Sequence, residues 1–176
     1  MADVAELEGW RFCPRCGGEL QGDTARLECS ACGFVVYASS KPTASALVLD
    51  DDGRILLARR AIEPYRGYWD LPGGFLEEGE HPVDGVRREI REETGLDIEP
   101  LEFLGVWTDR YGGDSTAEAT LNFYYTAKLG EGELRPADDI SDARWFAPDE
   151  LPPVDEIAFD NVPQVLAAWR LRHQDA

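Results

Sequence analysis

Four cysteines near the start of the chain are the side chains best suited to bind a metal ion. They form two pairs, each with two residues between the thiols and a glycine directly after it: Cys13 and Cys16, then Cys29 and Cys32. Two intervening residues let one tight turn present both sulfurs, and glycine accepts the positive φ of such a turn. This pattern predicts a structural zinc site, because four cysteine ligands leave no open position for a reacting water. Two disulfides are the alternative, which a reducing cytosol disfavours.

A second set of chemical groups lies in a predicted helix over residues 82–95. At about 100° per residue, three carboxylates fall on one side of this helix: Glu89, Glu92 and Glu93. The apolar stripe that should be buried consists of Val83, Val86 and Ile90. Like charges at this spacing repel one another, and Mg2+, which prefers carboxylate oxygens, would reverse that effect. An ordinary solvated helix face is the alternative that the spacing alone leaves open.

A sheet and two helices must position these groups. Segments with the β propensity or the alternation of strands are residues 43–49, 54–60, 101–107, 120–128 and 143–146. A second helix is predicted over about residues 163–172. Short strands at 19–20 and 26–27 flank a turn at 22–23 in the cysteine module, and residues 41–42 are predicted to be a linker. Strands and helices intermix without regular βα alternation, which predicts the α+β class with a mixed sheet.

The composition limits the class of protein. The chain has 17 Lys and Arg against 35 Asp and Glu, a net charge of -18, which disfavours nucleic acid as a partner. Hydrophobic residues make up 43% of the chain, enough for a packed core. The acidic start of the chain has no apolar stretch of a signal peptide, and no segment has the ~20 apolar residues of a membrane span. These features predict a cytoplasmic protein.

Residues in and before the carboxylate helix carry a known signature. They follow G-x5-E-x7-R-E-U-x-E-E-x-G-U, with U aliphatic, and are Gly74, Glu80, Arg88, Glu89, Ile90, Glu92, Glu93, Gly95 and Leu96. This pattern is the Nudix box, matched at every defined position, so the chain is identified as a member of the Nudix family. Residues 57–60, 69–75 and 144–151 are also similar to segments that flank the box. One departure is Gly85, where alanine is usual and where glycine should weaken the helix by ~1 kcal/mol.

The resemblance implies both a fold and an activity. The fold is a Nudix αβα sandwich over residues 41–176, preceded by a zinc ribbon over residues 1–40, as in a group of bacterial and archaeal Nudix proteins. The activity is hydrolysis of a nucleoside diphosphate linked to another group, by attack of water on a phosphorus. Mg2+ or Mn2+ would neutralise charge and position the water.

The resemblance also implies a role for each residue of the box. The metal ligands would be the carboxylates of Glu92 and Glu93 and the backbone carbonyl of Gly73. Glu89 would be a further ligand or the base that orients the water. Arg88 would hold the glutamates in place, and Glu80 would stabilise the junction between the loop and the helix.

Residues outside the box complete the predicted site. In this family a further catalytic carboxylate commonly comes from the loop before the strand that is Arg-Trp-Phe in this chain. Asp139 has the most family-like spacing, six residues before Trp145, and the alternatives in the same loop are Glu131, Glu133 and Asp138. Substrate contacts are expected from a cation and three aromatic residues: Arg60, Trp107, Tyr111 and Phe159.

Several substrates fit the predicted chemistry. Overall similarity favours ADP-ribose or a nucleotide sugar, and thus an ADP-ribose pyrophosphatase-like enzyme. NADH is disfavoured, because residues 97–126 contain nothing similar to the Ser-Gln-Pro-Trp-Pro-Phe-Pro segment of NADH pyrophosphatases. The alternatives are a nucleoside triphosphate or dinucleoside polyphosphate hydrolase, which Tyr111 would suit, and a nucleotide-sensing regulator that uses the ribbon as an interaction surface. A homodimer remains an open alternative to a monomer.

Overall fold

The computed structural model describes residues 6–112 and 118–173 and folds as two compact units. The first unit comprises Met1–Lys41 and Arg110–Ala119, and the second comprises Pro42–Asp109 and Thr120–Ala176. The first unit therefore extends beyond the predicted ribbon, since it includes a segment from the middle of the chain. Within the described ranges, no helix is long and apolar enough to span a membrane.

The first unit contains a small antiparallel sheet. Its strands follow one another in the order β1 (Leu20–Gly22), β2 (Arg26–Cys29) and β3 (Val35–Tyr37). The turn between β1 and β2 is closed by Asp23, whose Oδ1 accepts hydrogen bonds from the amides of residues 25 and 26 at 2.8 and 3.0 Å. Leu20 and Leu27 pack with two buried cysteines in a core of few residues. So small a core needs a metal or a similar staple to fold stably.

A seven-stranded sheet and two helices make up the rest of the fold. The strands are β4 (Lys41–Leu49), β5 (Ile55–Arg60), β6 (Trp69–Asp70), β7 (Gly73–Phe75), β8 (Leu96–Tyr111), β9 (Glu118–Gly132) and β10 (Ile140–Phe146). The sheet order is β10-β5-β4-β9-β8, with β6 paired to β5 and β7 paired to β4. The helices are α1 (Pro82–Thr94) and α2 (Asn161–His173), and a 3-10 turn spans Val154–Glu156.

The sheet lies between the two helices. Val86 and Ile90 of α1 pack in one buried cluster with Val48 of β4. Val165 of α2 packs in a separate cluster with Leu47, the preceding residue of the same strand. Since successive strand residues point to opposite faces, α1 and α2 cover opposite faces of the sheet. This arrangement confirms the predicted α+β class and the αβα sandwich.

Local sequence defines the limits of α1. Pro82 occupies the first turn, and the Nδ1 of His81 accepts a hydrogen bond from the Val83 amide at 3.2 Å. At the other end Gly95 has a φ of 74° and donates its N–H to the Arg91 carbonyl at 3.0 Å. The predicted bounds of this helix are therefore confirmed.

Helix α2 is held against the sheet by polar contacts. The amide of Asn161 donates to Asp109 Oδ2 at 3.2 Å, and the hydroxyl of Tyr124 donates to Asn161 Oδ1 at 3.2 Å. Near the end of the helix, Arg172 donates to the carbonyl of Leu104 at 2.7 Å. Both ends of α2 are thus tied to β8, so the helix covers one face of the sheet along its length.

Several strands differ from their predicted limits. Residues 41–42, predicted as a linker, instead begin β4, and the carbonyl of Pro42 accepts a hydrogen bond from the Leu76 amide at 3.0 Å. Strands β8 and β9 extend beyond the predicted segments at both ends. The short strands β3, β6 and β7 have no counterpart in the prediction.

Candidate active site and metal centre

The four cysteines meet in one cluster, as predicted. Their sulfur atoms all lie within 4.8 Å of one another, with Sγ–Sγ distances of 3.7 Å for Cys13 and Cys32 and 3.6 Å for Cys16 and Cys29. A regular tetrahedron with Zn–S bonds of about 2.3 Å places sulfurs about 3.8 Å apart. All four thiols are free, and a disulfide needs sulfurs at about 2.05 Å. The geometry therefore fits a four-coordinate metal site and not the alternative of two disulfides.

Backbone amides donate hydrogen bonds to sulfur atoms of this cluster. The amide of Arg15 donates to Cys13 Sγ and that of Gly18 to Cys16 Sγ, each at 3.4 Å. Burial raises the pKa of Cys29, but amides of the second cysteine pair and the neighbouring thiols outweigh it, and the pKa falls to about 7. Amides that donate to sulfur in this way orient thiolates that bind a metal.

The carboxylates of α1 face the turn that contains β7. Glu93 is only 6% exposed, and its Oε2 accepts a hydrogen bond from the Gly73 amide at 3.0 Å. A Cβ on Gly74 would lie 2.5 Å from Glu89 Oε2, and a Cβ on Gly73 would lie 2.3 Å from the Ala44 carbonyl oxygen. The two glycines therefore let the helix and the turn approach closely enough to enclose the carboxylates.

Arg88 connects four carbonyl or carboxylate groups around the helix. Its Nε and Nη2 donate to the two oxygens of Glu80 at 2.9 and 2.8 Å. Its Nη1 donates to Glu89 at 2.7 Å and to Glu92 at 3.1 Å, and its Nη2 also donates to the carbonyl of Phe75 at 3.1 Å. Hydrogen bonding to Arg88 is the main reason that the pKa of Glu80 falls to about 2. These contacts are those expected of an arginine that orders the glutamates and the loop.

Asp139 approaches the cluster from a separate segment. The loop before β10 lies on the end of α1, where the amide of Ala137 donates to the Glu93 carbonyl at 2.8 Å. The charge of Asp139 acts on Glu93 and on Glu89 and disfavours the ionised form of both. Asp138, in contrast, is exposed. The other two alternatives, Glu131 and Glu133, are exposed as well, and Glu133 pairs with a neighbouring arginine.

Negative charge accumulates where these segments meet. Burial, followed by the charge of Asp139, raises the pKa of Glu93 well above its usual range. Burial also raises the pKa of Glu89. Mg2+ and Mn2+ prefer oxygen ligands. Carboxylates that repel one another and are poorly solvated would supply such ligands and would gain from a bound cation. Within the described part of the chain, however, only the cysteines bring three or more potential ligand atoms within 4.8 Å of one another. Glu92 instead points to Arg88.

Asp70 is a half-buried carboxylate near the cluster, with 17% of its side chain exposed, that sequence reasoning missed. Burial raises its pKa to about 7, although the guanidinium of Arg60, 3.8 Å away, opposes the shift. The charges of Asp139 and Asp109 raise the pKa further. The sequence offers no local signal for this group, since Asp70 precedes the box and its burial results from strand pairing.

The four predicted substrate-binding residues have different surroundings. Arg60 and Phe159 lie together, with the guanidinium carbon 5.2 Å from the ring centre. Trp107 is half-buried and packs edge-on against Tyr124 at 5.6 Å in the cluster beneath α2, so it is a core residue. Tyr111 belongs to the first compact unit and is half-buried.

Comparison with protein families and solved structures yields one consistent match. The model of the NUDIX domain matches residues 39–167. A crystal structure of a NUDIX hydrolase from Nitrosomonas europaea superposes with a TM-score of 0.78 at 30% identity, covering 94% of this chain and 93% of that chain. A MutT NUDIX hydrolase from Burkholderia pseudomallei gives 0.64 at 30% identity, covering 74% and 98%.

Curated proteins with related sequences have two kinds of activity in their names. An NAD-capped RNA hydrolase NudC from Vibrio parahaemolyticus is 32% identical over 147 residues, which cover 82% of this chain and 54% of that protein. An ADP-ribose pyrophosphatase from Methanocaldococcus jannaschii is 37% identical over 116 residues, covering 65% of this chain and 64% of that protein. The chain spans about half the length of the NudC proteins that it matches.

Proposed function

The chain belongs to the NUDIX family, and from that premise we propose that it hydrolyses the pyrophosphate of a nucleoside diphosphate linked to a second group. The observation that carries the proposal is that Glu93 and Glu89 on α1 lie against the turn that contains β7, while the charge of Asp139, from a separate loop, acts on both. A charged pyrophosphate can be bound next to these carboxylates only with a cation between them.

The residues that would hold a divalent cation are Glu89, Glu92, Glu93 and the carbonyl of Gly73. The ion, Mg2+ or Mn2+, would supply charge neutralisation for the phosphate and would lower the pKa of a bound water. Arg88 keeps Glu89 and Glu92 in place, as its hydrogen bonds indicate. The proton of the attacking water passes to a carboxylate of the cluster, Glu89 or Asp139, and the oxygen of the leaving phosphate departs on the opposite side of the phosphorus.

Two substrate types share this chemistry. ADP-ribose or a nucleotide sugar is our first candidate, supported by the similarity to the ADP-ribose pyrophosphatase. An NAD-type dinucleotide is the second, supported by the matches to NudC proteins over 82% of the chain, even though the segment typical of NADH pyrophosphatases is missing. In both types a single pyrophosphate joins a nucleoside to a second group.

The cysteine cluster supports a separate, structural role for zinc. Four thiolates with sulfurs 3.6–3.7 Å apart in the two measured pairs suit Zn2+ better than the harder Mg2+. The small core of the first unit also indicates that the metal contributes to folding. Metal analysis of the purified protein should find one tightly bound zinc per chain.

An assay over a panel of nucleotides tests the proposed activity. The purified protein is incubated with Mg2+ and ADP-ribose, UDP-glucose, NAD, diadenosine tetraphosphate or nucleoside triphosphates in 18O-labelled water, and products are identified by mass. We expect cleavage within a pyrophosphate, one 18O atom in a phosphate product, and loss of turnover in Glu93→Gln. Glu99→Gln, at an exposed glutamate of β8, is the matched control. Binding of these ligands without any turnover would favour a nucleotide-sensing regulator instead.

A further inference from the structure

A group of aromatic rings lies beside Arg60 in the second unit. Tyr65 packs edge-on against Phe159 with ring centres 5.1 Å apart, and against Tyr68 with ring centres 5.8 Å apart. Tyr65 is 43% exposed, so much of its ring remains open to solvent. Large aromatic side chains are normally buried when they serve the core, so this exposed ring needs another explanation.

The backbone of Tyr65 adds a second observation. Its φ of 64° lies in the left-handed region, which a bulky residue other than glycine rarely adopts. Hydrogen bonds enforce this conformation, since the amide of Tyr68 donates to the Tyr65 carbonyl at 3.0 Å and the amide of Gly67 donates to the Arg60 carbonyl at 2.9 Å. Strained residues persist where the surrounding structure holds them, and they cluster at functional sites.

A chain of contacts connects the rings to the carboxylates. Arg60 lies against Phe159, with its guanidinium carbon 5.2 Å from the ring centre, and its Nη1 is 3.8 Å from Asp70 Oδ2. Asp70 is followed in the chain, three residues later, by Gly73, whose amide donates to Glu93 Oε2 at 3.0 Å. A ligand whose pyrophosphate lies at the carboxylates can therefore extend towards the ring of Tyr65.

We propose that Tyr65 and Phe159 form an aromatic platform that binds the base of the nucleotide. Every nucleobase has a flat π face, and stacking on an exposed aromatic ring contributes to binding whatever the base. The platform would thus select substrates that carry a base over pyrophosphates that lack one, while discriminating weakly between bases. This inference rests on the proposed function, but binding can be measured without hydrolysis.

The test compares two ligands that differ in the base. With Mg2+ present, isothermal titration calorimetry measures the affinities of α,β-methylene ADP, which resists cleavage, and of methylenediphosphonate, which has no base. Tyr65→Gly should weaken the first by about 10-fold or more and leave the second within about 2-fold. Tyr65→Phe keeps the ring and should bind both as wild type does. Phe103→Ala, which removes an equally exposed ring that packs against Phe123 and Tyr125, is the control.

Stability separates a binding role from a structural one. Glycine adopts a φ of 64° without strain, so Tyr65→Gly should unfold at the same temperature as wild type or higher. Weaker binding of α,β-methylene ADP together with unchanged or higher stability is the expected combination. The inference is overturned if Tyr65→Gly binds that ligand within 2-fold of wild type, or if wild type binds it no better than methylenediphosphonate. Ring-dependent binding without any hydrolysis would instead overturn only the proposed function.

Discussion

Glu93 is the residue whose charge is least favoured by its surroundings. It is buried on the helix face, accepts one backbone hydrogen bond, and faces Asp139. An ionised carboxylate in such a place destabilises the fold unless a cation offsets its charge. The charge of Glu93 therefore lowers the stability of the fold, as is common for groups with the catalytic role that we propose for it.

Replacing Glu93 by glutamine tests this balance. Glutamine keeps the shape and can still accept the hydrogen bond from Gly73, but it removes the charge that would hold the metal. We expect kcat to fall by ~100-fold or more, while the metal-free protein unfolds at a higher temperature at pH 7. Assays of turnover and thermal unfolding measure both effects. Wild-type turnover in this variant would show that the carboxylate face is only a surface.

Asp70 should give the protein an unusual pH dependence. Its folded-state pKa is about 7, above the usual value of a carboxyl group, so the folded protein holds this proton more tightly than the unfolded chain does. The contribution of Asp70 to stability is therefore present at low pH and is lost as pH rises from about 4 through about 7. Asp70→Asn should lack this loss, so its unfolding temperature relative to wild type should increase between pH 4 and 8. Exposed Asp84→Asn serves as the control, and parallel curves for wild type and Asp70→Asn would contradict the prediction.

Asp139 and Glu131 should respond differently to loss of charge. The charge of Asp139 acts on Glu93, whereas Glu131 is exposed in β9. Asp139→Asn should slow turnover by ~10-fold or more, and Glu131→Gln should be nearly silent, since exposed charges contribute within about ±0.5 kcal/mol. Steady-state kinetics under saturating Mg2+ measure kcat for both variants. The reverse pattern would assign the loop carboxylate to Glu131.

At the scale of elements, packing at the junction between β7 and α1 limits how much a better helix former could stabilise α1. Gly85 lies in α1, and a Cβ there would be 2.3 Å from the Leu76 Cδ2 and 3.0 Å from Glu80 Oε2. Alanine at this position would stabilise the helix by its higher propensity, but it would also displace Leu76, which lowers that gain. Glycine here is a packing requirement as well as a weak helix former.

A double-mutant cycle on this junction separates the two effects. Gly85→Ala alone should gain less than the ~1 kcal/mol expected from helix propensity, or lose stability, because Leu76 has to move. In a Leu76→Ala background the same substitution should gain about 1 kcal/mol. Urea unfolding of the four proteins measures the coupling. Equal gains in both backgrounds would mean that Leu76 rotates away at no cost.

An element could be predicted from the sequence when residues within it or next to it determine its structure. Helix α1 was predictable because Pro82 and Gly95 mark its ends and an apolar stripe defines its buried face. Strands β6 and β7 were not, since each has two or three residues and forms only by pairing with β5 and β4, which are distant in sequence. The glutamates of the site were predictable from spacing. Asp70 and Tyr65 were not, because their burial and strain arise from tertiary contacts.

At the scale of the whole molecule, the two candidate metal sites lie in different compact units. The thiolates belong to the first unit, and the carboxylates belong to the second. Soft sulfur ligands select zinc, whereas hard oxygen ligands hold Mg2+ more weakly. The two metals should therefore be removable independently.

Selective chelation tests this independence. A zinc chelator followed by excess Mg2+ should abolish hydrogen-exchange protection in residues 6–41 and leave protection in residues 42–109 and 120–173 largely unchanged. Substantial turnover should remain. Cys32→Ser should reproduce the effect without a chelator. Loss of protection in both units, or activity that only zinc restores, would show that the two sites are coupled.

Arg88 has a consequence for how a cofactor would enter and leave. Its guanidinium already gives Glu89 and Glu92 a positive partner within the protein. Under the proposed function, Mg2+ would bind at carboxylates that Arg88 already holds in place, and it would not have to organise an unfolded site. Such binding would be reversible and would need no refolding. The occupancy of the carboxylate site would therefore follow changes in the free magnesium concentration around the enzyme.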